Sequence, residues 1–180
     1  EIRFGNRPVF TVNGKAIIGV PISQEPGEAA IDFRVENLSK KKIFRIEKKN
    51  YTEQRITLAD TKMVSPPTKE LERIRKESAA QKAVYASFTP QIDLTQGFIM
   101  PLEGRKTSLY GHRRFFNDVP RSPHSGLDIA APTGTPIVAP GPGRVALRGD
   151  FYFNGKTILL DHGQGLITMY CHMSEYTVEE

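Results

Sequence analysis

The chain has 180 residues, of which 38% are hydrophobic and 25% charged, and its formal net charge is +5. This balance is typical of one or two folded domains and excludes a disordered chain. No apolar run approaches the roughly 18 residues of a membrane span. The basic runs are not interleaved with aromatic residues, so the pattern does not favour specific nucleic-acid binding. A single cysteine, Cys171, excludes an intrachain disulfide.

Residues 1–62 are predicted to form a small β-sandwich of the immunoglobulin-like type. Asn13-Gly14 lies between two apolar segments, and this dipeptide suits the two positive-φ positions of a type I′ hairpin turn. Apolar and polar residues alternate in three later segments, 30–37, 42–48 and 54–60. Short strands at this spacing are typical of such a sandwich, and none of these residues suggests catalysis.

Residues 63–90 are predicted to form a helical linker. Ser65 is a suitable N-cap and Pro66 a suitable first helical residue, so the helix is expected over 66–86 and to end before Pro90. Its apolar stripe is patchy. This favours a spacer helix packed on one side over an amphipathic helix that binds a membrane.

Residues 91–180 return to a β pattern. Five segments are predicted strands: 97–104, 136–139, 143–150, 156–161 and 167–173. Glycine- and proline-rich turns separate them. We therefore expect a second, antiparallel β domain, and the chain as a whole is predicted to be mainly β.

His124 and Asp128 are the candidate metal ligands. They are four residues apart, and Gly126 between them allows a sharp bend that points both side chains at one ion. Zinc accepts such mixed nitrogen and oxygen ligands. The spacing alone favours a turn that carries a capping aspartate and an incidental histidine.

The segment Tyr170-Cys171-His172 is predicted to alternate across a strand. Tyr170 and His172 would then share one face, with His172 in a cleft, while Cys171 packs behind as a small buried hydrophobe. His112 has no partner at ligand spacing and is predicted to be exposed.

Several motifs in sequence order resemble the lysostaphin-type (LytM, M23 family) zinc metallopeptidases, Gram-negative type. They are F-x-x-P-x-x-G from Phe98, G-x-R-R from Gly111, HSGLDIAAPTGTP from His124, H-G-x-G from His162 and Y-x-H-x-S from Tyr170. Together they cover about residues 97–176. The resemblance identifies 91–180 as a LytM-type peptidase domain, and the match of the preceding β unit and helix to Gram-negative members is less specific.

The resemblance also implies roles for individual residues. His124 and Asp128 would bind Zn²⁺, His172 would be a catalytic residue that is not a ligand, and His162 would be structural, bonding loop backbone. The loop that resembles the G-x-R-R segment implies substrate binding by three further residues, Arg113, Arg114 and Phe115. An ordinary surface loop is the alternative for this segment.

One departure from the family pattern concerns the third zinc ligand. In the family it lies in a C-terminal His-x-His segment, and no such segment occurs up to Glu180. We therefore expect a peptidase domain that is incomplete at its C-terminus and a 180-residue chain that is inactive alone.

The function implied by the resemblance is zinc-dependent endopeptidase hydrolysis of peptide cross-links in bacterial peptidoglycan. The protein would be an exported hydrolase of the periplasm or cell envelope, with its signal sequence absent from this chain and peptidoglycan peptide stems as its partners. Two alternatives stay open: a non-catalytic LytM-like module that binds or activates other cell-wall hydrolases, and a structural envelope protein without a metal. The presence of His124, Asp128 and His172 favours the enzyme.

Overall fold

The computed structural model describes residues 2–35, 37–90 and 97–179, and in these ranges the chain is mainly β with a single α-helix. The N-terminal strands are β1 (Ile2–Phe4), β2 (Arg7–Pro8), β3 (Phe10–Val12), β4 (Lys15–Ile17), β5 (Gly27–Val35), β6 (Leu38–Ile46) and β7 (Glu53–Ile56). The helix is α1 (Leu71–Ala86). The later strands are β8 (Arg105–Ser108), β9 (Arg113–Phe116), β10 (Val119–Pro120), β11 (Asp128–Ala130), β12 (Arg144–Phe151), β13 (Gly155–Asp161) and β14 (Ile167–Met173).

The N-terminal strands form an antiparallel sheet in the order β2-β1-β5-β6, accompanied by the separate hairpin β3-β4. The hairpin is the predicted one. Asn13 and Gly14 both have positive φ, 48° and 70°, as a type I′ turn requires. The predicted strand 30–37 coincides with β5 over 30–35; position 36 is outside the described residues and position 37 is in a turn. The immunoglobulin-like type of this region stays a prediction.

The helix starts later than predicted, at Leu71, so the assignment of Ser65 and Pro66 to its first positions is wrong. A 3-10 turn over 68–70 precedes the helix. The physical reason is the pair of prolines. A residue that precedes a proline is driven out of the helical region, and this applies to both Ser65 and Pro66. Pro67 itself is extended, with ψ 147°, so the helix begins only after it.

Helix α1 is attached to the C-terminal sheet by polar contacts. Arg73 donates from Nη2 to the carbonyl of Asp150 at 2.8 Å, and Glu77 Oε2 accepts from the backbone N–H of Tyr152 at 2.8 Å. None of its residues is fully buried, as the patchy apolar stripe predicts. Among the described residues, no helix is long and apolar enough to cross a membrane.

The core of the C-terminal region is the antiparallel sheet β12-β13-β14. Its three strands lie at the predicted positions, and β14 has the predicted bounds. The central strand β13 is the most buried, because it has a neighbour on both edges. Leu159 and Thr157 are fully buried there, with Ile158 and Leu160 beside them.

The predicted strands 97–104 and 136–139 are wrong. These two segments run side by side and share two backbone hydrogen bonds, from Ile99 N to Pro140 O at 2.8 Å and from Val138 N to Pro101 O at 2.9 Å. Proline lacks an N–H and cannot continue a ladder of such bonds. The prolines at each end of this contact limit it to two bonds.

Strand β7 joins the early part of the chain to the candidate site. It pairs in parallel with β9, with Glu53 opposite Arg113 and Gln54 opposite Arg114. Strand β9 also pairs with β10, and β8 pairs with β11. The division into units at 62 and 90 stays a prediction, and the β7–β9 pair is a direct contact across it.

Candidate metal centre

The backbone of His124 is held in place by two hydrogen bonds to neighbouring loop residues. Its N–H donates to the carbonyl of His112 at 2.9 Å, and its carbonyl accepts from the N–H of Gly111 at 2.7 Å. Its side chain is 8% exposed. Asp128, four residues later, is the first residue of β11 and lies opposite Ser108 of β8. The backbone of His124 is thus held by His112 and Gly111, and that of Asp128 by the short β8–β11 ladder.

The two predicted ligands face each other. His124 Nε2 lies 3.1 Å from Asp128 Oδ1. Two donors bound at about 2.0–2.2 Å to one tetrahedral ion are separated by roughly 3.3–3.6 Å. The observed separation is within a few tenths of an ångström of that range, so both atoms can bind one ion without backbone movement.

The hydrogen bonds of the His124 ring decide which nitrogen is available to a cation. Nδ1 lies 3.0 Å from the carbonyl oxygen of Leu109, which only accepts, so Nδ1 carries a proton. In the neutral ring Nε2 then holds a lone pair. Two acceptors, Nε2 and the Asp128 carboxylate, would repel each other at 3.1 Å unless a proton or a metal ion lies between them. The donor set therefore fits a metal ion.

Arg114 binds the other oxygen of the Asp128 carboxylate. Its Nη2 lies 2.5 Å from Asp128 Oδ2, and its side chain is largely covered, whereas that of Asp128 is 47% exposed. The charge-assisted hydrogen bond leaves Oδ1 facing His124. Solvent and ligands can still reach the carboxylate.

A buried hydroxyl links these groups. Ser108 is 2% exposed, and four polar side chains lie within hydrogen-bond distance of its Oγ: Gln54 at 3.0 Å, His124 at 3.1 Å, Arg114 at 3.2 Å and His112 at 3.3 Å. The prediction that His112 is exposed is wrong. Its ring is half-buried because it packs against this hydroxyl.

His172 lies on β14, where the predicted alternation of side chains is interrupted. The pairing of β13 with β14 shifts between Lys156 and Ile158, and His172 has φ 59°. At such a bulge two residues lie opposite one, so the strict two-residue period does not hold. The His172 side chain is exposed. Among the described residues, no third His, Cys, Asp or Glu joins His124 and Asp128. The catalytic role of His172 stays a prediction.

Cys171 is a free, half-buried thiol. Burial raises its pKa, and the nearby negative charge of Asp128 adds a smaller effect in the same direction. Asn154 donates from Nδ2 to the sulfur at 3.5 Å. The thiolate is the reactive form, so a raised pKa makes Cys171 less nucleophilic at neutral pH.

This thiol provides a test of the environment of β14. We expect iodoacetamide to alkylate Cys171 more slowly in the folded chain than in urea at the same pH. Because folding raises the pKa of Cys171, the alkylation rate of the folded chain should keep increasing above about pH 8.5, the usual pKa of a thiol. Alkylation followed by mass spectrometry from pH 6 to 10 measures both profiles. Coincident profiles would contradict the buried position of the thiol.

His162 is structural, as expected from the resemblance. Its side chain is fully buried, with Nδ1 2.6 Å from the carbonyl oxygen of Pro142 and Nε2 2.8 Å from Thr168 Oγ1. A side chain at Gly143 would meet the ring, since a Cβ there would lie 2.8 Å from Nδ1. Both ring nitrogens therefore have protein partners, and His162 is not available as a ligand.

The three residues predicted to bind substrate are divided between the two faces of β9. Arg114 points to Asp128, whereas Arg113 is paired at 3.0 Å with Glu53. The Phe115 ring lies under the guanidinium group of Arg55, and the distance from Arg55 Cζ to the ring centroid is 4.3 Å. This is the alternation expected of a strand. Substrate binding by these residues stays a prediction.

Sequence reasoning missed Gln54 and Ser108. Gln54 is in a short strand of the early β region, and Ser108 is in a loop-flanked segment with no recognisable motif. The G-x-R-R segment pointed to Arg114, yet nothing in the spacing indicated that its partner would be the metal-ligand candidate Asp128.

Sequence comparisons match the later part of the chain to known proteins. The profile of Peptidase family M23 matches residues 122–180. The chain is 34% identical over 59 residues to Peptidoglycan DD-endopeptidase ShyA of Vibrio cholerae, a match that covers 33% of this chain and 14% of that protein. It is 35% identical over 57 residues to DD-carboxypeptidase/endopeptidase Mpg of Neisseria meningitidis, covering 32% and 13%. The chain thus matches only about one seventh of the length of these relatives.

Structural comparison extends the likeness to nearly the whole chain. A crystal structure of a Pseudomonas aeruginosa protein assigned to the M23 peptidases has a TM-score of 0.78 and 34% sequence identity to it. The match covers 99% of this chain and 68% of that chain, so it includes the N-terminal sheet and helix α1 as well as the candidate metal centre. With the family profile, the motifs and the fold in agreement, the chain belongs to peptidase family M23.

Proposed function

We propose that the protein is a zinc-dependent endopeptidase that hydrolyses peptide cross-links of bacterial peptidoglycan. One observation carries the proposal: His124 Nε2 and Asp128 Oδ1 face each other at 3.1 Å, with a tautomer of His124 that its contact with Leu109 favours. The relative named Peptidoglycan DD-endopeptidase ShyA supports the choice of substrate. We propose that a protein with this substrate acts in the periplasm or cell envelope.

His124 and Asp128 would hold the zinc ion. A bound zinc ion supplies Lewis-acid polarisation of the scissile carbonyl and activates water for attack. His124 contributes the Nε2 lone pair, and Asp128 contributes one carboxylate oxygen while Arg114 retains the other. The half-exposed Asp128 leaves the open side of the site accessible to a peptide.

His172 is proposed to assist the reaction as a proton donor or acceptor or by stabilising the developing oxyanion. It is exposed on β14, and the Asp128 carboxylate contributes to the raised pKa of the neighbouring Cys171. A positioned general acid or base contributes on the order of 10²–10⁴-fold to a rate.

The proposal is tested with purified peptidoglycan. Hydrolysis is measured as the release of peptides, detected by mass spectrometry. We expect an active preparation to lose this activity when a zinc chelator is added and to regain it when Zn²⁺ is added back. The physical reason is that the protein groups alone supply no comparable electrophile for the scissile carbonyl.

Two outcomes would contradict the proposal. Peptide release that persists after the metal has been removed would exclude zinc-dependent chemistry. A zinc-loaded preparation that binds peptidoglycan, releases nothing and stimulates another cell-wall hydrolase would establish the alternative, a non-catalytic binding or activator module. The metal content of each preparation, measured by plasma emission, serves as the control.

A further inference from the structure

We infer that Gln54, on strand β7, is a positioning residue for the candidate metal centre and orients both Asp128 and His124 through Arg114 and Ser108. The inference rests on the proposed function, since it assigns the residue that sets the geometry of the proposed zinc ligands. Gln54 lies far upstream of the residues that match the family profile, 122–180.

The Gln54 side-chain oxygen accepts two hydrogen bonds, and each donor in turn contacts one proposed metal ligand. We call these two series of contacts the first and second branch. Oε1 accepts from Arg114 Nε at 3.1 Å and from Ser108 Oγ at 3.0 Å. Arginine Nε–H only donates, so the amide oxygen, not the amide nitrogen, faces Arg114. Both lone pairs of this oxygen are therefore used.

The first branch orients the carboxylate. A guanidinium group is planar and its donors are fixed relative to one another. The bond from Arg114 Nε to Gln54 sets the plane of the group, and this directs Nη2 to Asp128 Oδ2 at 2.5 Å. With Oδ2 engaged, Oδ1 is the oxygen presented to His124.

The second branch reinforces the tautomer of His124 that the Leu109 carbonyl also favours. Ser108 has one hydroxyl proton, and its bond to Gln54 uses that proton. The Ser108 oxygen can then only accept from the His124 ring, where Nδ1 lies 3.1 Å away. This keeps the proton on Nδ1 and the lone pair on Nε2, together with the carbonyl of Leu109. One amide oxygen thus acts on both proposed ligands.

Strand pairing keeps Gln54 in this position. Gln54 lies directly opposite Arg114 in the parallel β7–β9 register. Beyond the strand, Leu58 and Asn117 exchange two hydrogen bonds, from Leu58 N to Asn117 Oδ1 at 2.7 Å and from Asn117 Nδ2 to Leu58 O at 3.1 Å. These bonds resist a shift of register, so Gln54 stays aligned with Arg114.

The test compares Gln54→Leu, which removes the acceptor, with Gln54→Glu, which keeps an acceptor oxygen for both donors. Glu53→Leu is the matched control, because it introduces the same residue, leucine, at the adjacent position of β7, whose side chain lies on the opposite face. Two properties of the 180-residue chain are measured: the ¹⁵N shifts of the His124 ring without metal, and zinc affinity by titration. The chain has four histidines, so the ring signals can be assigned by substitution.

We expect Gln54→Leu to shift the His124 signals toward a mixture of tautomers and to weaken zinc binding by roughly 10–100-fold, the usual effect of losing a partner of a metal ligand. Gln54→Glu should restore both properties, and Glu53→Leu should leave both unchanged. Gln54→Met, which is closer in shape to glutamine, replaces Gln54→Leu if circular dichroism shows the latter to be unfolded.

Either of two results would overturn the inference: a folded Gln54→Leu or Gln54→Met chain with the wild-type ring signals and zinc affinity, or a Glu53→Leu chain that changes as much as Gln54→Leu. Failure of the proposed function is a separate result. It would be seen as equal zinc affinity in the wild-type chain and the His124→Ala chain. The ring signals of the metal-free wild-type and Gln54 variants would still decide the role of Gln54.

Discussion

His124→Ala is expected to abolish both zinc binding and peptidoglycan hydrolysis, whereas His172→Ala should abolish hydrolysis with zinc retained. His124 faces Asp128 at 3.1 Å with its tautomer favoured by Leu109, so its loss leaves the ion with one of the two donors found here. His172 does not join a group of three metal-binding side chains in the part of the chain that the structure describes. Its loss should lower the rate about 10²–10⁴-fold without releasing metal.

The two variants are compared in a preparation that hydrolyses peptidoglycan. Metal content is measured by plasma emission, and hydrolysis by the loss of turbidity of a peptidoglycan suspension. If His172→Ala loses zinc as completely as His124→Ala, then His172 is a ligand and its assigned role is wrong. If both variants hydrolyse at the normal rate, the active site lies elsewhere in the protein.

His162→Ala should have the opposite effect, a large loss of stability with zinc binding unchanged. The ring is fully buried and both nitrogens are bonded to protein atoms. The substitution leaves a cavity and removes one hydrogen-bond partner each from the Pro142 carbonyl and the Thr168 hydroxyl, which retains Tyr170. We expect the free energy of unfolding to fall by about 3–5 kcal/mol.

Urea unfolding followed by circular dichroism measures this change. Leu38→Ala is the control, since Leu38 is 59% exposed and its truncation should alter stability by less than about 0.5 kcal/mol. A His162→Ala chain as stable as the control would show that the buried bonds contribute little. A folded His162→Ala chain that no longer binds zinc would reassign His162 to the metal centre.

The parts of the fold that were predicted correctly are those with local signals. Strands β12, β13 and β14 were found because each is a regular segment between glycine-rich turns, and the β3–β4 hairpin because Asn13-Gly14 admits few other turns. The candidate site has local sequence signals of the same kind. Four-residue spacing and a family motif pointed to His124 and Asp128, which the structure places together.

The parts that were missed depend on distant or competing constraints. The segment 97–104 has strand-like composition, but prolines in it and in its neighbour restrict the pairing to two bonds. The bulge at His172 depends on how β14 meets β13, which no pattern within β14 reveals. Gln54 shows the limit most clearly, because its importance arises from a parallel pairing with β9 that has no local sequence signal.

The parallel pairing of β7 with β9 also bears on how the protein folds during its synthesis. About sixty residues separate each residue of β7 from its partner in β9. At roughly 5–20 residues per second, a ribosome completes β9 about 3–12 seconds after β7. Throughout that interval β7 lacks its β9 partner, so the edge that later pairs with β9 is a template for intermolecular association. Folding of the nascent chain is therefore expected to be sensitive to any factor that shields this segment until β9 emerges.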